Sequence, residues 1–258
     1  MERMLEGKRT LVLGGGGGGI GRAITRAFAT AGSALAVVDI DPRRADEAAA
    51  EATTAGIKAI ALVGDVRSRT DIERVVADAG RELGALDILV TVVGGQLAFV
   101  PAARVHEITD DDWDLMFRVN LHYVADAVRA ILGVFLEQGT GGTIVSVGSI
   151  TGIAASPSQA AYGAAKAGLA SLARSVAAEY GEDGIRMNVV SCGPVATPVA
   201  EAAQALAEFD WIPMRRAASS REVADVSVFL ASPLSSYISG QSVVVDGGAT
   251  AIGPFPRS

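Results

Sequence analysis

The chain has 258 residues, half of them apolar, with a formal net charge of −7 and a single cysteine. This length is enough to bury the core of one α/β domain, and Cys192 alone makes neither an internal disulfide nor a cysteine metal site. The acidic balance argues against nucleic acid or an anionic membrane as a partner. Charges near the N-terminus and interrupted apolar stretches predict neither a signal peptide nor a membrane span. The single cysteine fits a reducing cytoplasm, and no metal ion is expected.

Short apolar runs alternate with stretches whose apolar residues recur at helical spacing. Strands are predicted at residues 10–13, 34–39, 59–63, 87–93, 143–147, 186–190 and 242–245. Helices are predicted at residues 20–31, 43–54, 70–83, 111–137, 159–181 and 221–230, with starts indicated by Thr109 and by Asp41-Pro42. The strand runs are continuous, which is typical of strands buried on both faces. The pattern predicts a single-domain, doubly wound parallel α/β sheet of about seven strands over residues 1–258, with helices on both faces and functional residues after the strands.

Six consecutive glycines, residues 14–19, separate the first predicted strand from the first predicted helix, and Ile20-Gly21 follows them. Glycine lets the backbone approach a pyrophosphate, and a helix N-terminus offers unpaired N–H groups to it. A flexible linker is the alternative, but a linker is not expected between an apolar strand and an amphipathic helix. Because many GxGxxG registers fit, the glycine run alone is a weak signal.

Asp39 ends the second predicted strand, 18 residues after Gly21. A carboxylate there accepts hydrogen bonds from both adenosine ribose hydroxyls and repels a 2′-phosphate, which favours NAD over NADP. Arg43 and Arg44 are interpreted as the solvated face of the next helix. Asp65-Val66 after the third strand either borders the adenine or caps the helix near Thr70, and both interpretations are compatible.

Tyr162 and Lys166 form a YxxxK pair on one helix face, and Ser149 lies 13 residues before Tyr162. Reducing a ketone requires a proton donor at the carbonyl oxygen, and a free tyrosine with a pKa of about 10 is a poor base at neutral pH. An ammonium about 4 Å away stabilises a phenolate by roughly 4 kcal/mol, enough to lower its pKa by about two to three units before burial is counted. Asn120 is expected in the long helix after the fourth strand. The lone His106 and His122 are interpreted as structural.

Taken together, these motifs resemble the short-chain dehydrogenase/reductase family over about residues 8–248. The matching positions are Gly15, Gly19, Ile20, Gly21, Asp65, Val66, Val119, Asn120, Ser149, Tyr162, Lys166, Asn188, Gly193, Pro194, Val195, Thr197, Val245, Asp246, Gly247 and Gly248. The resemblance implies catalytic roles for four of them: Tyr162 as acid/base, Lys166 lowering its pKa and holding the nicotinamide ribose, Ser149 bonding the substrate oxygen, and Asn120 ordering a water. It implies cofactor contacts from Gly15, Gly18, Gly19, Ile20, Asp39, Asp65, Val66, Val92, Gly94, Tyr162, Lys166, Val195 and Thr197. It also implies a homotetramer.

Three positions depart from the family pattern. Gly14 replaces the threonine that usually opens the glycine motif, which removes a side-chain hydrogen bond. Thr91-Val92-Val93-Gly94 replaces two asparagines, an alanine and a glycine after the fourth strand, and Thr91 is expected to restore part of the lost hydrogen bonding. Cys192 takes the place of a proline beside Gly193. These departures bear on loop rigidity and cofactor affinity more than on the chemistry.

The substrate is expected between residues 95–105 and a loop around residues 195–214. Apolar walls are predicted from Leu97, Phe99, Val100, Leu206, Phe209, Trp211 and Met214. They favour an apolar or cyclic secondary alcohol, although the same residues could simply pack the loops down. A 3-oxoacyl thioester is the alternative; the positions that would dock an acidic carrier, Thr140 and Asp183, are not basic. A non-catalytic NAD-binding protein is a further alternative, against which the complete catalytic set argues.

Overall fold

The computed structural model describes residues 3–96, 98–202 and 209–251. Its strands are β1 (Arg9–Leu13), β2 (Ala34–Asp39), β3 (Ala59–Val63), β4 (Ile88–Thr91), β5 (Gly142–Ser149), β6 (Ile185–Cys192), β7 (Val195–Ala196), β8 (Ala218–Ser219) and β9 (Ser242–Val245). Seven of them form one sheet in the order β3-β2-β1-β4-β5-β6-β9, and every neighbouring pair is parallel. The two-residue strands β7 and β8 pair separately.

The helices are α1 (Ile20–Thr30), α2 (Pro42–Thr54), α3 (Arg69–Leu83), α4 (Asp110–Phe117), α5 (Tyr123–Gln138), α6 (Ala160–Tyr180), α7 (Pro198–Ala202) and α8 (Ser220–Ala231). Two buried clusters cover the opposite faces of the sheet. One joins α3, α5 and α6 to alternate strand residues such as Leu11 and Val38, and the other joins α1, α2 and α8 to their neighbours Val12 and Val37. The predicted doubly wound parallel α/β sheet is therefore confirmed.

Two helix starts form as the sequence predicts. The side chain of Thr109 accepts a hydrogen bond from the backbone N–H of Asp112 and caps α4, while Asp41 caps α2 by accepting from the N–H of Arg43. Such caps satisfy N–H groups that have no partner inside the helix. The helix predicted over residues 111–137 is present as a helical segment from Asp110 to Gln138, in which a π-helical turn at Arg118–His122 separates α4 from α5.

The helical segment Asp110–Gln138 is long and apolar enough to match a membrane span by length and composition, unlike the sequence expectation. Half of its most apolar window is buried inside the protein. Tyr123, Val124, Ile131 and Phe135 contribute to the core cluster under the sheet. This packing accounts for the apolar composition as that of a core helix.

Strand ends differ from the prediction near the functional edge. β4 ends at Thr91 rather than Val93, and β5 and β6 each run two residues further, to Ser149 and Cys192. Polar or small residues end both longer strands, so the apolar pattern did not reach them. The chain leaves β1 toward β2 on one side and returns at β4 on the other, which places the change of winding direction between β1 and β4. Ligands of such sheets bind at this point, beyond the carboxyl ends of the strands.

Candidate active site

A cleft of about 1470 Å³ lies at the carboxyl edge of the sheet and is lined by segments that follow all seven of its strands. Its charged lining residues all belong to the side formed by α1, α2 and the ends of β2 and β3: Arg22, Arg26, Asp39, Arg44, Glu47, Asp65 and Arg67. The lining that follows β4, β5 and β6 carries no charged side chain among the described residues. The cleft thus has a charged end and an uncharged end.

The glycine loop turns from β1 into α1 at the charged end. The N–H groups of Gly14 and Gly15 both donate to the carbonyl of Val38, at 2.9 and 3.1 Å, which ties the loop to β2. No side chain caps α1 at Gly19, so its first N–H groups face the cleft as an anion site. Gly18, Gly19 and Ile20, which are predicted to contact the cofactor, line the cleft. Gly15 is not among the lining residues, because it packs underneath the loop, where its carbonyl accepts from Thr25.

The two departures from the family pattern at Gly14 and Val93 lie in contact with each other. Gly14 has φ +91°, and a Cβ on it would lie 2.6 Å from Cγ2 of Val93. The valine side chain therefore fills the space beside the loop that a larger residue at position 14 would need. Thr91 donates to the hydroxyl of Ser146 at 2.9 Å, and the buried Tyr123 hydroxyl donates to the Val93 carbonyl at 2.7 Å. These two bonds hold the segment after β4, where the family's two asparagines are missing.

Asp39 and Asp65, which are predicted to contact the cofactor, both line the charged end. One Asp39 oxygen, Oδ1, accepts from the N–H of Asp41 at 3.1 Å. Arg44 also lines the cleft rather than only facing solvent, with its Nε 3.7 Å from the Asp41 carboxylate. The interpretation of Asp65 as a helix cap is wrong: Ser68 caps α3, and the Arg67 guanidinium beside Asp65 holds the pKa of that carboxyl below its usual value. Val66 and Val92 line the cleft as well.

Ser149, Tyr162 and Lys166 meet at the junction of the two ends. Ser149 and Tyr162 line the cleft, whereas Lys166 is buried behind it with its Nζ 5.8 Å from the centre of the Tyr162 ring. The lysine Nζ donates to the carbonyl of Val147 at 2.9 Å, so β5 positions both Ser149 and Lys166. One turn of α6 separates Tyr162 from Lys166, which puts both on its inner face, as the YxxxK spacing predicts.

Asn120 lies in the π-helical turn and is fully buried. Its side chain accepts from the N–H of Gly95 at 2.9 Å and donates to the carbonyls of Gly95 and Met116 at 3.2 and 3.0 Å. Gly94 passes so close that a Cβ on it would lie 2.5 Å from Asn120 Oδ1 and 3.1 Å from Lys166 Nζ. Asn120 and Lys166 therefore lie side by side behind the strip that follows β4, and neither lines the cleft surface.

Burial dominates the electrostatics of this group. Burial raises the pKa of the Tyr162 phenol above its usual value, and the nearby Cys192 adds to this, while the Ser149 side chain opposes it. Burial also lowers the pKa of Lys166 to about 8. The net shift of the Tyr162 pKa is therefore opposite to the lowering expected from Lys166, which is not among the groups that shift it, and desolvation of the phenolate is the largest cause.

Cys192 lies in this group where the family has proline. It is buried, and its Sγ donates to the carbonyl of Gly148 at 3.3 Å. Burial raises the pKa of the thiol, with Lys166 opposing the shift. The cysteine therefore remains a protonated, apolar-like filler beside the tyrosine and the lysine.

The predicted substrate walls are partly correct. Phe99 and Trp211 line the uncharged end, with Val195 and Thr197 beside them. Val100 instead packs into a buried cluster with Met116 and Val119, as the alternative of loop packing anticipated. Phe209 and Met214 do not line the cleft, and Met214 is exposed. Leu97 and Leu206 lie outside the described residues.

Sequence reasoning missed several lining residues at the uncharged end. Thr151 and Gln159 contribute polar groups there, and the buried Gln96 donates to the carbonyls of Pro101 and Ser158. Only proximity to Ser149 and Tyr162 in the sequence could have indicated the first two. The two histidines take no part: His106 is exposed beside Glu107, and His122 packs on Phe117. Within the described ranges, no cluster of three or more His, Cys, Asp or Glu residues could hold a metal ion.

Comparisons with known proteins agree with this arrangement. A family model described as enoyl-(acyl carrier protein) reductase matches residues 15–250. Oxidoreductase UcpA of Escherichia coli (strain K12) is 35% identical over 258 residues, which cover 95% of each chain. Glucose 1-dehydrogenase of Gluconobacter oxydans (strain 621H) is 34% identical over 262 residues, which cover 98% of this chain and 95% of that relative.

Among solved structures, 7α-hydroxysteroid dehydrogenase complexed with NADH and 7-oxo glycochenodeoxycholic acid superposes with a TM-score of 0.86 at 28% identity. The match covers 95% of this chain and 96% of that chain. Sequence, sheet order and the placement of the serine, tyrosine and lysine thus lead to one conclusion. The chain belongs to the short-chain dehydrogenase/reductase family of oxidoreductases.

Proposed function

We propose that the protein is an NAD-dependent oxidoreductase that interconverts a secondary alcohol and a ketone on an uncharged, apolar or cyclic small molecule. The observation that carries the proposal is the meeting of Ser149 and Tyr162 at the boundary between the charged and uncharged ends of one cleft, with Lys166 buried behind them. A nucleotide suits the charged end, and a neutral substrate suits the other.

The charged end has the groups that an adenine dinucleotide requires. The uncapped N-terminus of α1 offers N–H donors to a pyrophosphate, and the carboxylate of Asp39 offers an acceptor to ribose hydroxyls. When bound, the nicotinamide supplies or accepts the hydride. We assign NAD rather than NADP because Asp39 would repel a 2′-phosphate. Arg44, a cation that could attract one, has its guanidinium near the carboxylate of Asp41.

Proton transfer at the substrate oxygen is assigned to Tyr162. Its phenol donates a proton in ketone reduction and accepts one in alcohol oxidation. Lys166 supplies positive charge behind the ring, and with a pKa of about 8 it still carries its proton over much of the neutral range. Asn120 fixes the Gly94–Gly95 strip against this lysine, consistent with a place on a proton path.

The substrate class follows from the uncharged end. Phe99, Trp211 and Val199 provide apolar surface there, and the polar contributions from Thr151, Ser156 and Gln159 are neutral. A phosphorylated or carboxylated group would find no cation among these residues. The relative named glucose 1-dehydrogenase and the solved structure named 7α-hydroxysteroid dehydrogenase support a cyclic alcohol as the substrate class.

A 3-oxoacyl thioester is the second candidate, favoured by a relative that is 34% identical over 247 residues and named 3-oxoacyl-[acyl-carrier-protein] reductase. Against it, Thr140 and Asp183 leave the expected carrier-docking positions without positive charge. A CoA thioester is less affected by this objection, because a CoA ester does not require those positions.

The test is a panel of secondary alcohols and 3-hydroxyacyl thioesters with NAD, followed by the absorbance of the reduced nicotinamide. We expect turnover with a neutral cyclic alcohol and a loss of at least about a hundredfold in Tyr162→Phe, since general acid–base groups contribute about 10²–10⁴-fold. Tyr180→Phe, a change of the same kind at the end of α6, serves as the control. The absence of any responding substrate, together with no effect of Tyr162→Phe, would leave a non-catalytic NAD-binding protein. By family analogy we also propose a homotetramer in the cytoplasm.

A further inference from the structure

Ser149 receives two hydrogen bonds from the same residue. The backbone N–H of Thr151 donates to Ser149 Oγ at 3.2 Å, and the hydroxyl of Thr151 donates to the same oxygen at 2.9 Å. The first bond closes the short 3₁₀ turn that begins after β5, in which Ser149 acts as the cap. The second bond is not needed for that turn, because the cap bond satisfies the turn without any side chain at position 151.

The number of hydrogen-bond donors and acceptors on Ser149 determines where its own proton can point. A serine hydroxyl has one proton to donate and two lone pairs to accept with. The two bonds from Thr151 occupy both lone pairs of Ser149. Its own proton is then the only hydrogen-bonding capacity left, and the residue lines the cleft beside Tyr162. A ketone oxygen has lone pairs and no proton, so it requires donors at this point.

We propose that Thr151 is a positioning residue that fixes the Ser149 hydroxyl as a donor toward the substrate oxygen. The inference rests on the proposed function, in which Ser149 and Tyr162 both bind that oxygen. Thr151 itself touches neither the reacting atoms nor Tyr162 in this scheme. It acts through Ser149. Because hydrogen bonds in a chain polarise one another, the bond from Thr151 makes the Ser149 hydroxyl a stronger donor.

The electrostatics of Tyr162 agree with this direction. The Ser149 side chain lowers the pKa of the phenol against the opposing effect of burial, as a hydroxyl does when it donates to a phenolate. A serine hydroxyl free to turn would spend part of its time with its proton elsewhere. In the protein without substrate, where the Ser149 proton is not yet engaged by a substrate oxygen, removing the Thr151 hydroxyl should therefore raise the pKa of Tyr162.

The kinetic test compares Thr151→Val, which keeps the shape and the backbone N–H but removes the hydroxyl, with Thr151→Ser, which keeps the donor. We expect Thr151→Val to reduce kcat about tenfold, equivalent to about 1.4 kcal/mol, with a smaller change in KM. We expect its pH profile of kcat/KM for alcohol oxidation, which reports the protein without substrate, to shift to higher pH, and Thr151→Ser to recover most of both effects. Thr53→Val on the exposed side of α2 removes a hydroxyl bonded only to the Ala49 carbonyl and serves as the control.

The outcomes separate the two proposals. If the unmodified protein turns over an alcohol, and Thr151→Val matches Thr53→Val in kcat and in pH profile, the role of Thr151 is refuted while the proposed function stands. If no alcohol or ketone reacts with any variant, the proposed function fails. Neutron diffraction of the deuterated protein then decides the geometry directly. A deuteron on Thr151 Oγ1 pointing at Ser149 Oγ supports the inference, and a Ser149 deuteron pointing at Thr151 Oγ1 overturns it.

Discussion

The contact between Gly14 and Val93 allows a quantitative test of how the cofactor loop is held. Gly14→Ala places a Cβ 2.6 Å from Cγ2 of Val93 at a residue with φ +91°. The left-handed backbone costs about 1–2 kcal/mol for any non-glycine residue. Overpacking against the valine adds about 1–3 kcal/mol. We therefore expect Gly14→Ala to lower the free energy of unfolding by about 2–5 kcal/mol.

A second glycine separates the two contributions. Gly84, at the end of α3, has φ +85°, and a Cβ on it would have no atom within 4 Å, so Gly84→Ala carries the backbone strain alone. The entropy that alanine removes from the unfolded chain is the same at both positions and cancels in the comparison. The difference between the two variants then measures the clash with Val93.

Urea unfolding followed by tryptophan fluorescence, without cofactor, provides the free energies. Val93→Ala alone should cost at most about 1.5 kcal/mol, from two partly buried methyl groups. In the Gly14→Ala background, Val93→Ala should instead be neutral or stabilising, which gives a coupling energy of about 1–3 kcal/mol. Equal costs for Gly14→Ala and Gly84→Ala, or additive effects at positions 14 and 93, would refute the reasoning.

Two further predictions concern the charged groups of the cleft. Asp39→Ala should weaken NAD binding by about ten- to a hundredfold, the loss of charge-assisted hydrogen bonds worth roughly 1.5–3 kcal/mol, and should reduce the preference over NADP. Titration calorimetry measures the affinity for each dinucleotide, and the α2 cap variant Asp41→Ala serves as the control. A clear preference of the unmodified protein for NADP would contradict the assignment. Lys166 has its folded pKa lowered to about 8 by burial, so between about pH 8 and 10.5 the unfolded chain binds more protons at this group and its contribution to stability rises with pH, whereas Cys192 and Tyr162, whose pKa values burial raises, contribute the opposite slope. Lys166→Met should remove this rise, on the order of 3 kcal/mol, in unfolding curves recorded across that window; an unchanged pH dependence would show that Lys166 is not the cause.

Much of the fold was predictable because it depends on patterns that are local in the chain. Continuous apolar runs identified the seven strands of the main sheet, and the side chains of Asp41 and Thr109 marked helix starts that form as expected. The ends of β5 and β6 were missed, since Ser149 and Cys192 are held by pairing with each other across the sheet rather than by their own apolarity. A strand end that depends on its neighbour has no signal in the strand itself.

The candidate site was predictable in its members but not in its energetics. Motif spacing identified Ser149, Tyr162 and Lys166, which the fold brings together. The sign of the tyrosine pKa shift was not accessible, because it depends on how deeply the ring is buried and on Cys192, a neighbour from another strand. Thr151 was overlooked for a similar reason: its importance lies in the direction of one hydroxyl, which sequence spacing does not reveal.

The π-helical turn at Arg118–His122 has a consequence for how one long segment packs on two partners. Successive residues of an α-helix are rotated by about 100° around its axis, so the one additional residue of a π turn rotates the helix before it by that amount relative to the helix after it. This rotation lets α4 face α6 while α5 faces α3. Deleting one residue from the turn would restore a regular helix, and α4 and α5 could then no longer satisfy both partners. The π turn that holds Asn120 thus also sets the rotation of α4 relative to α5 about the helix axis.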